Sequence, residues 1–161
     1  MVSSPRPSSF LTLAFALLLA PMLAPPATAQ SDQAEVGRPA PTFTLQAADG
    51  DTHRLSDFEG TYVVLEWLNF ECPFVAKHYG SGHMQALQET YTEKDVVWLS
   101  VVSSAPGKQG YYPPTQMVKE KNKHDGNMTA ILMDPDGTVG KTYGATVTPH
   151  MYVIGPEGTL L

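Results

Sequence analysis

From Val36 onward the apolar positions fall into short dense runs separated by polar segments bearing glycine and proline. That is the pattern of strands alternating with helices. Phe43, Leu45 and Ala47 alternate with polar residues, and Asp49-Gly50 supplies a tight turn before His53 and Leu55, which predicts a β-hairpin. Residues 62–68 (YVVLEWL) form a β-branched and aromatic run of the kind buried on both faces of a sheet. Pro73 stands at a helix-start position. Val75, Tyr79, Met84, Leu87 and Tyr91 then recur at helical spacing, and Gly80-Ser81-Gly82 predicts a kink or a split within it.

Residues 96–102 (VVWLSVV) predict a second buried strand, followed by a loop rich in Pro, Gly and Tyr and a short charged helix over 115–123. A third strand over 130–133 is closed by the Asp134-Pro135-Asp136-Gly137 turn. A helical turn near 139–143 leads to Pro149 and a strand over 151–154, after which Gly155 to Gly158 turn the chain into Thr159-Leu160-Leu161. Strands alternating with helices imply an α/β sheet. A hairpin whose second strand has only begun leaves one sheet face without a covering helix, so the expectation is a fragment of a longer reading frame.

The first 29 residues follow a different pattern. Arg6 precedes the apolar run Phe10 to Ala20, and Ala27-Thr28-Ala29 offers a small-x-small cleavage pattern. The run is short for a membrane span, which needs about 20 residues, and Pro21, Pro25 and Pro26 would break a helix extended past it. The expected organisation is a signal peptide over 1–29, a polar linker over 30–35 and one domain over 36–161. Export places that domain in the periplasm or outside the cell, with no stable membrane insertion after cleavage.

Composition narrows the function. The chain has 161 residues, 42% of them hydrophobic, and a net charge of −6, which offers no basic patch for nucleic acid. One cysteine excludes an internal disulfide framework. That cysteine, Cys72, sits between a buried strand and a helix beginning at Pro73. There the first-turn N–H groups and the positive end of the helix dipole favour a thiolate. Lys77 and His78, farther along the same helix, are candidates to add positive potential, whereas Glu71 opposes ionisation if it points at the sulfur. A buried, inert cysteine is the alternative.

These residues carry a resemblance. Val36-Gly37, Ala40-Pro41, Phe43, Leu45, Asp49-Gly50, Leu55-Ser56-Asp57-Phe58, Gly60 and Val63-Val64-Leu65, followed by Trp67, Cys72-Pro73 and Thr148-Pro149, resemble the thioredoxin-like redoxins. That group includes the alkyl hydroperoxide reductase and thiol-specific antioxidant proteins. The resemblance runs from about Val36 to the end. It implies a thioredoxin-like fold with an N-terminal β-hairpin, incomplete at its C-terminal strand and helix, and a cis Pro149 facing Cys72. It matches Cys72 to the first cysteine of the thioredoxin Cys-x-x-Cys and to the peroxidatic position of redoxins. Glu66 matches the buried acid of thioredoxins, and a carboxylate buried within YVVLEWL would have its pKa raised by desolvation; the alternative is an exposed glutamate on an edge strand, or one tied to Lys or Tyr. Thr148 and Pro149 would form the ledge on which an incoming thiol or disulfide lies.

The departures carry equal weight. Val75 occupies the place of the second cysteine, so a two-thiol cycle cannot run within the chain. Where peroxiredoxins carry a Thr and a Pro before the reactive cysteine, this chain has Asn69 and Leu65. The arginines outside the leader, Arg38 and Arg54, both precede Cys72. Asn69 is the candidate to supply a hydrogen bond in the threonine's place.

The expectation is an exported antioxidant or redox-homeostasis oxidoreductase without cofactor or resident metal. Its Cys72 attacks a disulfide or a peroxide, and a thiol resolves the product; the partners expected are a disulfide- or thiol-bearing protein or a small-molecule peroxide, and an external reductant thiol. The competing class is a non-enzymatic binding module or a copper-handling protein, drawing on His78, His83, His124, His150, Met84 and Met151. His150, beside Pro149, is the histidine expected near the sulfur. Asn127-Met128-Thr129 spells a glycosylation sequon.

Overall fold

The computed structural model describes Met1 and residues 33–161. The expected leader, apart from Met1, and the first part of the expected linker lie outside the described residues.

A six-stranded mixed sheet runs in the order β2-β1-β5-β4-β3-β6. Its strands are β1 (Thr44–Ala47), β2 (Thr52–Arg54), β3 (Val63–Trp67), β4 (Val97–Val102), β5 (Ala130–Met133) and β6 (His150–Ile154). β3, β4 and β5 are mutually parallel neighbours, while β6 pairs antiparallel with β3 and β1 antiparallel with both β5 and β2. Every side chain of β3 is buried, as the unbroken apolar run predicts for a strand covered on both faces.

The period of two then sorts the residues into two cores. Val63, Leu65, Trp67, Leu99, Val101 and Leu132 pack on one face with Tyr143. Val64, Leu68, Trp98, Val102 and Ile131 pack on the other with Val75, Tyr79, Met84 and Met117. The second face therefore carries α1 (Pro73–Gly80), α2 (His83–Thr92) and α3 (Pro114–Lys123), and the first carries α4 (Thr138–Thr142).

Gly80 to Gly82 does split the helix. Gly82 caps α2 with φ +75°, a conformation that glycine reaches without the steric cost of a Cβ. Leu55, expected in the hairpin's second strand, instead opens a 3-10 helix over Leu55–Phe58. There Arg54 N–H donates to Asp57 Oδ2 at 2.9 Å, and the local side-chain bond bends the chain out of the ladder.

Candidate functional site

The link from β3 to α1 is a tight turn. Asn69 O accepts the Cys72 N–H at 2.9 Å, and Asn69 Oδ1 accepts the Glu71 N–H at 2.9 Å. These bonds leave Cys72 extended (φ −73°, ψ 128°) as the N-cap of α1, with Pro73 in the first helical position. Proline fits there because its missing N–H would have no intrahelical partner anyway. Asn69 thus shapes the turn with both its backbone and its side chain.

Cys72 Sγ lies 3.2 Å from the carbonyl oxygen of Thr148, and the Thr148–Pro149 bond is cis. When protonated, the thiol donates to that carbonyl. The thiol is nevertheless held below the ordinary cysteine range. A side-chain hydrogen bond from Thr148 is the largest cause, and the backbone N–H groups of Val75 and Phe74 add to it, while partial burial opposes them. The carbonyl contact favours the neutral thiol, but it is outweighed once the hydroxyl and two N–H groups face the anion. Thr148→Val is accordingly expected to raise the midpoint of Cys72 alkylation by about half a pH unit to one. An unchanged midpoint in iodoacetamide labelling would remove the hydroxyl from the ionisation.

Glu66 is fully buried in β3 on the same sheet face as α1. Trp98 Nε1, Ser100 Oγ and Gln88 Nε2 donate to its Oε2 at 2.9, 2.9 and 3.2 Å, and the Tyr79 hydroxyl lies 3.2 Å from Oε1. Burial pushes the carboxyl above its usual range, against the pull of these four hydrogen bonds. The same surroundings push the Tyr79 hydroxyl far up, so it stays a donor. Glu66 therefore meets α1 at Tyr79, two turns beyond Cys72, rather than at the sulfur itself.

The loop rich in Pro, Gly and Tyr between β4 and α3 closes the other side of the turn. Tyr112 donates to Glu71 Oε1 at 2.9 Å, Gln109 Nε2 donates to Glu71 O at 3.3 Å, and Gly110 presses on Asn69. A Cβ at Gly110 would stand 2.3 Å from Asn69 Oδ1, and the residue has φ +79°. Gly110→Ala is expected to destabilise the protein by about 2 kcal/mol or more, measured by urea unfolding. A change within about 0.5 kcal/mol would mean that the loop does not bear on the turn.

Other expected neighbours are not brought together. Lys77 and His78 lie in the last turn of α1, at the end away from Cys72, and the thiol is lowered without them. His150 pairs with Trp67, so it projects to the opposite sheet face, where its ring lies 4.6 Å from that of Tyr152. His124 stacks on Phe70 at 4.5 Å, Met84 is buried in the core, and among the described residues no three His, Cys, Asp or Glu side chains gather as metal ligands. Arg38 pairs with Glu35, and Arg54 ends β2, four strand positions from β3. Beside Thr148 opens a cleft of about 300 Å³, lined by Trp67, Asn69, Ser103, Ser104, Thr146 and Val147 among others. These side chains carry no charge.

The residue pattern and this geometry agree with what the chain is similar to. Residues 36–161 match the model of the AhpC/TSA family. No curated protein matches the chain. Among solved structures, the pneumococcal exposed lipoprotein thioredoxin of Streptococcus pneumoniae is 30% identical over 74% of this chain and 85% of its own, with a TM-score of 0.57. An uncharacterised conserved protein from Geobacillus kaustophilus is 25% identical over 78% of this chain and 66% of its own, at a TM-score of 0.70. A secreted disulfide oxidoreductase from Mycobacterium tuberculosis shares the fold at 18% identity, covering 74% of this chain and 80% of its own, with a TM-score of 0.58.

Proposed function

Because the chain belongs to the AhpC/TSA family, a family of thioredoxin-like redoxins, we propose that it is an exported thiol–disulfide oxidoreductase with Cys72 as its nucleophile. The observation that carries this reading is the placement of Sγ at the N-terminus of α1, 3.2 Å from the Thr148 carbonyl that precedes the cis Pro149. A thiolate held there is activated and open on one side to a partner.

In the proposed reaction the Cys72 thiolate attacks one sulfur of a disulfide. The S–S bond breaks, a mixed disulfide forms, and the departing thiolate takes a proton. One thiol of an external dithiol then attacks the substrate sulfur of the mixed disulfide and releases the Cys72 thiolate. The dithiol's second thiol displaces the substrate as a thiol and closes the reductant's own disulfide, so two electrons pass from the reductant and Cys72 regains its starting state. Pro73 fixes the helix start, Thr148 and Pro149 supply the ledge along which the partner lies, and Asn69 holds the turn. The uncharged cleft beside Thr148 suits a neutral stretch of a disulfide-bearing polypeptide. Glu66 serves as the buried acid of the fold, acting through Tyr79 on the helix that carries the thiol.

Disulfides are favoured over peroxides because neither Arg38 nor Arg54 stands at the site, and Leu65 and Asn69 replace the residues that peroxiredoxins use. Export is supported by the pattern of the first 29 residues. It also fits the exposed and secreted character stated for the Streptococcus pneumoniae and Mycobacterium tuberculosis proteins. Reduced protein incubated with a peptide disulfide is expected to give one equivalent of mixed disulfide at Cys72 by intact mass, reversed by a dithiol. Sulfenic acid forming from hydrogen peroxide faster than that adduct would overturn the preference for disulfides. No adduct with either would leave the fold a binding scaffold.

A further inference from the structure

Glu71 immediately precedes the nucleophile and carries a negative charge. A carboxylate turned toward a thiolate opposes its ionisation. In the structure the carboxylate is turned elsewhere: the Tyr112 hydroxyl donates to Glu71 Oε1 at 2.9 Å, Gln109 braces the Glu71 carbonyl at 3.3 Å, and Gly110 closes against Asn69 on the same turn. Two separate side-chain bonds and one close backbone approach thus tie the loop between β4 and α3 to residues 69 and 71.

The other charged groups around the thiol do not substitute for this arrangement. On α1, Lys77 and His78 stand in the last turn. Glu66 is enclosed beneath the helix by Tyr79, Gln88, Trp98 and Ser100. His150 projects to the opposite sheet face. The segment before β6 offers the uncharged Thr148, and the loop itself carries Lys108 and Tyr112. On α3, Glu120 bonds Lys123 and Gln116. Among the described residues Glu71 forms no ion pair, so the Tyr112 hydroxyl is the side-chain group that holds its carboxylate.

We propose that Tyr112 is a positioning residue for Cys72: by holding the Glu71 carboxylate on the β4–α3 loop, it keeps that charge off the sulfur. The inference rests on the thiolate reading above and deepens it. Glu71 pushes the Tyr112 hydroxyl up to about 12, so the donor keeps its proton throughout the range in which a cysteine ionises.

The test is the pH dependence of Cys72 alkylation in the full chain. Tyr112→Phe frees the carboxylate and is expected to raise the midpoint by about half a pH unit. The rise should shrink in 1 M salt, where the screening length falls to about 3 Å. In a Glu71→Gln background, which has no charge to misplace, Tyr112→Phe should leave the midpoint where Glu71→Gln alone puts it. A Tyr112→Phe midpoint equal to that of the unaltered chain would overturn the proposal. A rise that persists in the Glu71→Gln background or in high salt would do so too, since it would report a loosened loop rather than a moved charge. Failure of the thiolate reading is separable, because it would show as an ordinary midpoint in the unaltered chain.

Discussion

Cys72→Ser is expected to lower the rate of disulfide exchange by more than about a thousandfold, since a serine hydroxyl is not ionised where a thiolate is and the chain holds no other sulfhydryl. The same change should not cost stability. Cys72 is the N-cap of α1, its Sγ makes no cap bond to the helix, and serine ranks among the preferred residues at that position. The expected outcome pairs a lost activity with an unchanged or higher melting temperature, read by a disulfide-reduction assay and by thermal unfolding of one preparation. Activity within about tenfold of the unaltered chain would place the chemistry elsewhere. A large fall in melting temperature would make Cys72 a packing residue.

Glu66→Ala is expected to be the most destabilising single change at the site, at about 3–5 kcal/mol. It leaves the donors of Trp98, Ser100, Tyr79 and Gln88 facing a vacated, buried acceptor site. Denaturant unfolding measures this loss directly; a cost below about 1 kcal/mol would mean that the network relaxes or that water replaces the carboxylate. Glu66→Gln keeps the volume and isolates the titration. Burial raises this carboxyl in the folded state, so the folded chain holds the proton to higher pH than the unfolded chain does. Its contribution to stability is complete below the ordinary glutamate pKa of about 4.3 and is lost as pH climbs through the raised folded value. The Glu66→Gln protein should therefore have a flatter stability profile above that pH, and parallel profiles for the two proteins would show that the carboxyl does not titrate in this way.

Much of the fold was legible because its signals are local. The alternation in 43–47, the dense run in 62–68 and the glycines at 80 and 82 each act within a few residues, and the elements stand where those signals put them. Leu55 misled because its apolar side chain fits a hairpin strand, while Asp57, two positions on, bonds the Arg54 N–H and opens a 3-10 turn. The site was half legible. Cys72 at a strand-to-helix junction, and Glu66 as a carboxylate in an apolar run, are visible in one dimension. Their partners are not: Tyr79, Gln88, Trp98 and Ser100 come from α1, α2 and β4, and only strand register and helix packing bring them to one carboxylate.

The positions of Lys77 and His78 follow from helix geometry alone. At a rise of 1.5 Å per residue they stand about 7–9 Å along the axis from the cap, so the first-turn N–H groups and Thr148 act on the sulfur instead. For His150, nearness in sequence to Pro149 suggested the sulfur, but antiparallel pairing with Trp67 sends it to the other face. The partner of Tyr112 was not legible, since Glu71 lies 41 residues away.

The central claim is that this fold holds Cys72 as a reactive thiolate, and the rate of Cys72 alkylation against pH tests it most directly. The midpoint is expected below the value of about 8.5 for a free cysteine, moving up in Thr148→Val. A midpoint at or above that value, in protein that also fails to form a mixed disulfide, would contradict it.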